Sequence, residues 1–166
     1  MLRGPNGSGK TTLLRTIAGL VPLAHGQRVP PASVLYIGHR PMLLRGLSAR
    51  ANLAFFSAFR GRPADPTDAL RRWGLSALAS VPVERLSAGQ RKRAALARVE
   101  METEAVVLLD EPFADLDTDG VVLLRAAIMS ALAHEQAVLL ATHFHEELDR
   151  DARQLLVLDA GAVRSL

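Results

Sequence analysis

Eight consecutive residues, Gly4-Pro5-Asn6-Gly7-Ser8-Gly9-Lys10-Thr11, follow the pattern G-x-x-x-x-G-K-[ST]. Phosphate chemistry explains each residue type. Glycines let the backbone turn its N–H groups inward around phosphate oxygens. A helix beginning near Lys10 adds the positive end of its dipole. The Lys10 ammonium can reach the β- and γ-phosphates of a nucleotide, and the Thr11 hydroxyl can ligate Mg2+. A glycine-rich turn without a ligand is the plain alternative, and the amphipathic segment directly after the loop argues against it.

A second constellation lies at Val106-Val107-Leu108-Leu109-Asp110-Glu111, where an acidic pair ends an apolar run. In parallel sheets, ligands sit beyond the carboxyl ends of the strands. There Asp110 would hold Mg2+ through water, and Glu111 would orient or deprotonate the water that attacks a γ-phosphate. By themselves the two acids also fit an ordinary strand-to-loop turn.

These residues need elements to place them. Leu13, Leu14, Ile17, Ala18 and Val21 recur at helical spacing, and Pro22 is expected to stop that helix. Val34-Leu35-Tyr36-Ile37, Val106–Leu109 and Val138-Leu139-Leu140-Ala141 are short continuous apolar runs, which suit parallel strands covered on both faces. Gln154 to Val163 reads as a closing hairpin with its turn at Asp159-Ala160-Gly161. Residues 47–104 are helix-rich and hold no convincing strand. The expectation is an α/β core formed by residues 1–46 and 105–166, with a helical subdomain inserted between them.

Composition narrows the classes. The 166 residues suffice for one domain with a real core. There is no cysteine, which excludes disulfides, thiolate metal sites and cysteine catalysis. No apolar run approaches the ~18–20 residues of a membrane span, and the first residues lack the apolar stretch of a signal peptide. By elimination a soluble, cytoplasmic chain is expected. Net charge is +3, but residues 1–83 carry +9 and residues 84–166 carry −6. A basic half suits phosphate or an acidic membrane face, and an acidic half can supply metal ligands; solvated charges on exposed helices would give the same asymmetry. Few aromatics lie among the basic residues, so stacking on nucleic-acid bases is not suggested.

Four further elements follow in a fixed order. Tyr36-Ile37-Gly38-His39 precedes the helical insertion, and Leu86-Ser87-Ala88-Gly89-Gln90 opens a helix through Arg98. Phe113-Ala114-Asp115-Leu116-Asp117 follows the acidic pair, and Ala141-Thr142-His143 ends the last buried run. With the phosphate loop, these resemble the nucleotide-binding subunit of an ATP-binding cassette transporter over nearly the whole chain. Gly38-His39, the alanine within the 86–90 pentapeptide and Ala94-Ala95-Leu96-Ala97-Arg98 are further similar to the ATPase subunit of the haem exporter of cytochrome c maturation.

The resemblance implies a P-loop NTPase core of the RecA-like kind. It also implies an ATPase that dimerises around its nucleotide and drives a separate integral membrane subunit, without nucleic acid, on the cytoplasmic face of the cell membrane. Gly4, Pro5, Asn6, Gly7, Ser8, Gly9, Lys10, Thr11 and Thr12 of one subunit would bind ATP. Ser87, Gly89 and Gln90 of the partner would close over the γ-phosphate. Thr11 and Asp110 would hold Mg2+, Glu111 would be the catalytic base, His143 would contact the γ-phosphate, and Asp117 would lie at the dimer interface. Other exporters or importers of the family, and a shortened cassette without hydrolysis, remain alternatives.

Two departures stand out. Arg40 follows Gly38-His39 where the family normally places a glutamine, and an arginine, being a permanent cation with donors only, cannot ligate Mg2+. Only Met1-Leu2-Arg3 precede Gly4, so the N-terminal strands and the adenine-stacking aromatic implied by the family are expected to be missing. Residue 1 would then be internal to a longer natural chain, or the chain a shortened form. In the insertion, Leu53, Phe55, Phe56 and Phe59 cluster, and Phe55 and Phe59 share a helix face. They fit either the small core of the helical subdomain or a groove for a membrane subunit.

Overall fold

The computed structural model describes residues 1–29, 33–142 and 152–165. Contacts divide the chain into two units: residues 1–39, 104–112 and 137–166, and residues 40–103 and 113–136.

The first unit is built on a six-stranded sheet in the order β2-β3-β4-β1-β5-β6. Its strands are β1 (Leu2–Arg3), β2 (Val34–Ile37), β3 (Val106–Asp110), β4 (Ala137–Ala141), β5 (Leu156–Asp159) and β6 (Ala162–Ser165). Pairing is parallel throughout except between β5 and β6. The continuous apolar runs are thus parallel strands, as their lack of alternation requires. The strand that feeds the phosphate loop, expected to be missing, is present over two residues at the centre of the sheet. Leu2 pairs with both Ala141 and Leu156, and its carbonyl accepts the Thr142 N–H. The hairpin turns at Ala160 and Gly161, both with positive φ, which suits a two-residue primed turn.

Helix α1 (Lys10–Ile17) lies on this sheet. Leu2, Leu14, Tyr36, Leu108, Ala141 and Leu158 form its buried core, with Leu13 and Ile17 packed against it. The helix ends at Ile17, five positions before Pro22. Gly19, at φ 77°, takes the left-handed position; its N–H reaches Thr16 O and that of Leu20 reaches Arg15 O. This double closure is a Schellman motif, which ends the helix where a residue without Cβ permits the reversal.

The second unit is helical: α2 (Ala49–Phe59), α3 (Thr67–Arg72), α4 (Ala88–Leu96), α5 (Arg98–Met101) and α6 (Thr118–Ala133). It is larger than the expected insertion, since residues 40–46 and 113–136 contact it more than the sheet. Trp73 is fully buried, its indole N–H donating to Glu100 at 3.0 Å. Buried Asn52 holds the chain before α2 by accepting from Leu44 N and donating to the Leu44 and Ser48 carbonyls. Arg98 pairs with buried Glu102 and lies 3.8 Å above the Phe56 ring.

Candidate nucleotide site

The loop Gly4–Gly9 joins β1 to α1, and its shape depends on glycine. Gly4, Gly7 and Gly9 have φ of 154°, 79° and 101°. A Cβ on Gly4 would lie 2.3 Å from Leu158 O, so no other residue fits there without displacing β5. Helix α1 begins at a glycine with no side-chain cap and has no acidic residue in its first turn. First-turn N–H groups lack intrahelical acceptors by geometry, so a helix start without a side-chain cap suits an anion. Lys10 is buried, and its Nζ donates to Gly4 O at 2.7 Å and Pro5 O at 3.0 Å. The ammonium is thus folded over the loop it belongs to.

At the end of β3, Asp110 is 1% exposed. Its Oδ2 accepts from the Tyr36 hydroxyl at 3.3 Å, and that hydroxyl accepts from Arg15 Nε at 3.2 Å. Burial pushes the Tyr36 phenol up, against the opposing pull of the Arg15 hydrogen bond, so the phenol stays protonated and can donate. Asp110 Oδ1 is buried with no hydrogen-bond partner among the described residues. A buried carboxylate oxygen with an open lone pair suits a hard divalent cation such as Mg2+. Glu111 follows with φ 46°, a left-handed conformation unfavourable for a residue with Cβ, and its N–H donates to Ala141 O at 2.8 Å. Strain held in this way clusters where a side chain must be aimed.

The helical unit carries the 86–90 segment. Ser87 caps α4: its Oγ accepts the Gln90 N–H at 3.1 Å, and Gln90 Oε1 accepts the Ser87 N–H at 2.9 Å. This closed capping box occupies the Gln90 side chain and amide. It leaves the Ser87 O–H and the N–H groups of Ala88 and Gly89 to meet an anion. Gly89 also has a packing reason to lack a side chain, since a Cβ there would sit 2.9 Å from Asp115 O. Asp117 caps α6 through Gly120 N and pairs with Arg93, and the Arg93 guanidinium holds its carboxyl below the usual carboxylate range.

The structure therefore gathers Gly4 to Thr12 and Asp110–Glu111 in the sheet unit, and Ser87, Gly89 and Gln90 at one exposed helix start in the other. His143 lies outside the described residues. Arg40 is exposed and makes no hydrogen bond or ion pair among the described residues. The partnership of Tyr36 with Arg15 is not evident from the sequence. The available signal was a single tyrosine inside an apolar strand, whose hydroxyl needs a partner when buried. No helix among the described residues is long and apolar enough to cross a membrane.

The ABC transporter family profile matches residues 1–114. The cytochrome c biogenesis ATP-binding export protein CcmA of Cereibacter sphaeroides is 40% identical over 166 residues, spanning 99% of this chain and 77% of that protein. Its namesake from Paracoccus denitrificans is 41% identical with the same coverage, and that from Rhodobacter capsulatus is 43% identical over 96% of this chain and 72% of its own. A solved structure described as an ATP-binding subunit of an ABC transporter superposes with a TM-score of 0.88 at 22% identity, covering all of this chain and 78% of that one. That likeness speaks for the fold, and the sequence matches speak for the family. The chain belongs to the ABC transporter family and is one of its ATP-binding, ATP-hydrolysing subunits.

Proposed function

We propose that this ATPase powers an export step of cytochrome c biogenesis, with haem as the exported group, from the cytoplasmic face of the membrane. The observation that carries the reading is ~40% identity over nearly the whole chain to export proteins of that name. The glycine-shaped loop and the uncapped start of α1 support a triphosphate site. There Lys10 exchanges the neutral carbonyls of Gly4 and Pro5 for phosphate oxygens. Thr11 and Asp110 would hold Mg2+, which supplies positive charge to the β- and γ-phosphates when bound. Glu111 accepts the proton of the water that attacks the γ-phosphorus. A second copy presents the Ser87 hydroxyl and the amides at the start of its α4, with Gln90 holding Ser87 in place.

A membrane subunit is the expected load. Phe59 is 76% exposed and Phe55 44% exposed, their rings stacked 6.0 Å apart, whereas neighbouring Leu53 is buried. Leu53 thus serves the core of the helical unit, and the two exposed rings supply an apolar patch that suits a membrane-subunit contact.

Complementation tests the reading. In a bacterium lacking its own cytochrome c biogenesis ATP-binding export protein, the chain should restore haem-stained c-type cytochromes. Glu111→Gln should not restore them, since its turnover should fall by about 10²–10⁴-fold while ATP binding persists. Wild type failing while present at normal level beside its membrane subunit would redirect the assignment to another exporter or importer.

A further inference from the structure

We infer that Tyr36 is a positioning residue for the metal ligand Asp110, holding one carboxylate oxygen so that the other faces the ion. The inference rests on the reading above that Asp110 holds Mg2+. It begins with register. Tyr36 pairs with Leu108 across β2 and β3, and Asp110 lies two residues further along β3. Side chains two apart share a face of the sheet, so Tyr36, Leu108 and Asp110 point the same way. From the Tyr36 position, an aromatic side chain with a terminal hydroxyl spans the diagonal to the carboxylate, giving 3.3 Å from Oη to Oδ2.

The direction of the bonds follows from chemistry. Arginine only donates, so the Arg15 Nε–H contact at 3.2 Å makes the tyrosine oxygen an acceptor. The single phenolic proton is then committed to Asp110. The relay Arg15 to Tyr36 to Asp110 fixes Oδ2 as an acceptor and leaves Oδ1, the buried atom without a partner among the described residues, for the cation. Gly38 belongs to the same arrangement. Its φ is not in the left-handed region, yet a Cβ there would stand 3.2 Å from the Tyr36 hydroxyl and 3.4 Å from its ring. Glycine at 38 makes room for the phenol.

The test separates metal from nucleotide. A fluorescent, non-hydrolysable ATP analogue is titrated into the full chain with Mg2+ and again with EDTA, and the ratio of the two Kd values is the metal-dependent gain. Tyr36→Phe keeps the ring and removes the hydroxyl. It should lower the gain by about 3–10-fold and leave the EDTA affinity unchanged. Gly38→Ala should move the gain the same way, and Asp110→Asn should abolish it. A gain in Tyr36→Phe equal to wild type, whatever its Tm, overturns the inference and makes the hydroxyl a packing feature only. Should Tyr36→Phe not fold, Arg15→Gln decides: an unchanged gain overturns the inference, and a reduced one supports it. Equal gains in wild type and Asp110→Asn would instead sink the reading of Asp110 as the metal ligand.

Discussion

Two helices in this protein begin at a segment suited to an anion, and they begin differently. Helix α1 in the sheet unit starts at Gly9 with no side-chain cap, no acid in its first turn and three positive-φ glycines before it. Helix α4 in the helical unit starts at Ser87 inside a closed capping box with Gln90. The first end has no cap from a side chain of its own, which suits it to an anionic ligand. The second is stable by itself and has only a hydroxyl and two amides to spare. A helix start without its own cap has more amides to offer a resident phosphate than a capped one has. That division agrees with the proposed function, in which Ser87 of a second copy meets the nucleotide.

The sharpest way to break the contrast is at Lys10. Lys10→Ala should weaken ATP binding by about 10–100-fold, since a charge-assisted bond to phosphate is worth about 1.5–3 kcal/mol. Equilibrium titration of the isolated chain measures it. An unchanged Kd would mean that the open end is not the resident phosphate site.

A smaller effect separates the two members of the capping box. Ser87→Ala removes both the cap, worth about 1 kcal/mol, and the hydroxyl offered to phosphate. ATP turnover should fall about tenfold. Gln90→Ala removes one reciprocal bond of the box and should cost turnover less than about threefold. If steady-state ATPase rates of the two variants fall equally, the Gln90 side chain itself reaches the phosphate, and α4 is less self-contained than its box implies.

Much of this arrangement was legible in the sequence, for identifiable reasons. Apolar runs without alternation name parallel strands, and β2, β3 and β4 lie where those runs are. The loop and the acidic pair were legible because phosphate and metal chemistry restrict residue types at fixed spacing. The stop of α1 was not, because Gly19 and Pro22 are both breakers and only backbone geometry decides between them. Strand β1 was expected to be missing because only three residues precede Gly4, yet two of them suffice to pair with β4 and β5. Helix α6 escaped because its sequence is apolar on nearly every side and draws no stripe. The Tyr36 relay depends on register between strands some seventy positions apart, which no local pattern encodes.

The smallest effect concerns how the helical unit fixes the start of α6. Asp117 caps that helix through Gly120 N and pairs with Arg93, in the last turn of α4, so it ties the start of α6 to α4. Its carboxyl is held below the ordinary value of 3.8, first by the Arg93 hydrogen bond and then by the Gly120 amide. A depressed folded-state pKa stabilises the folded protein above the unfolded pKa, and that stabilisation disappears as pH falls through the folded pKa. Asn caps a helix about as well as Asp, so Asp117→Asn removes the charge and spares the cap. The variant should melt below wild type at pH 7, and the gap should shrink as pH falls below the ordinary carboxylate range. The Asp117 side chain is two-thirds exposed, so 1 M salt at pH 7 should narrow the gap as well. Thermal melts of both proteins across pH and salt measure this. A gap that ignores both would assign the stabilisation to the shape of the cap and leave the Arg93 pair without a share.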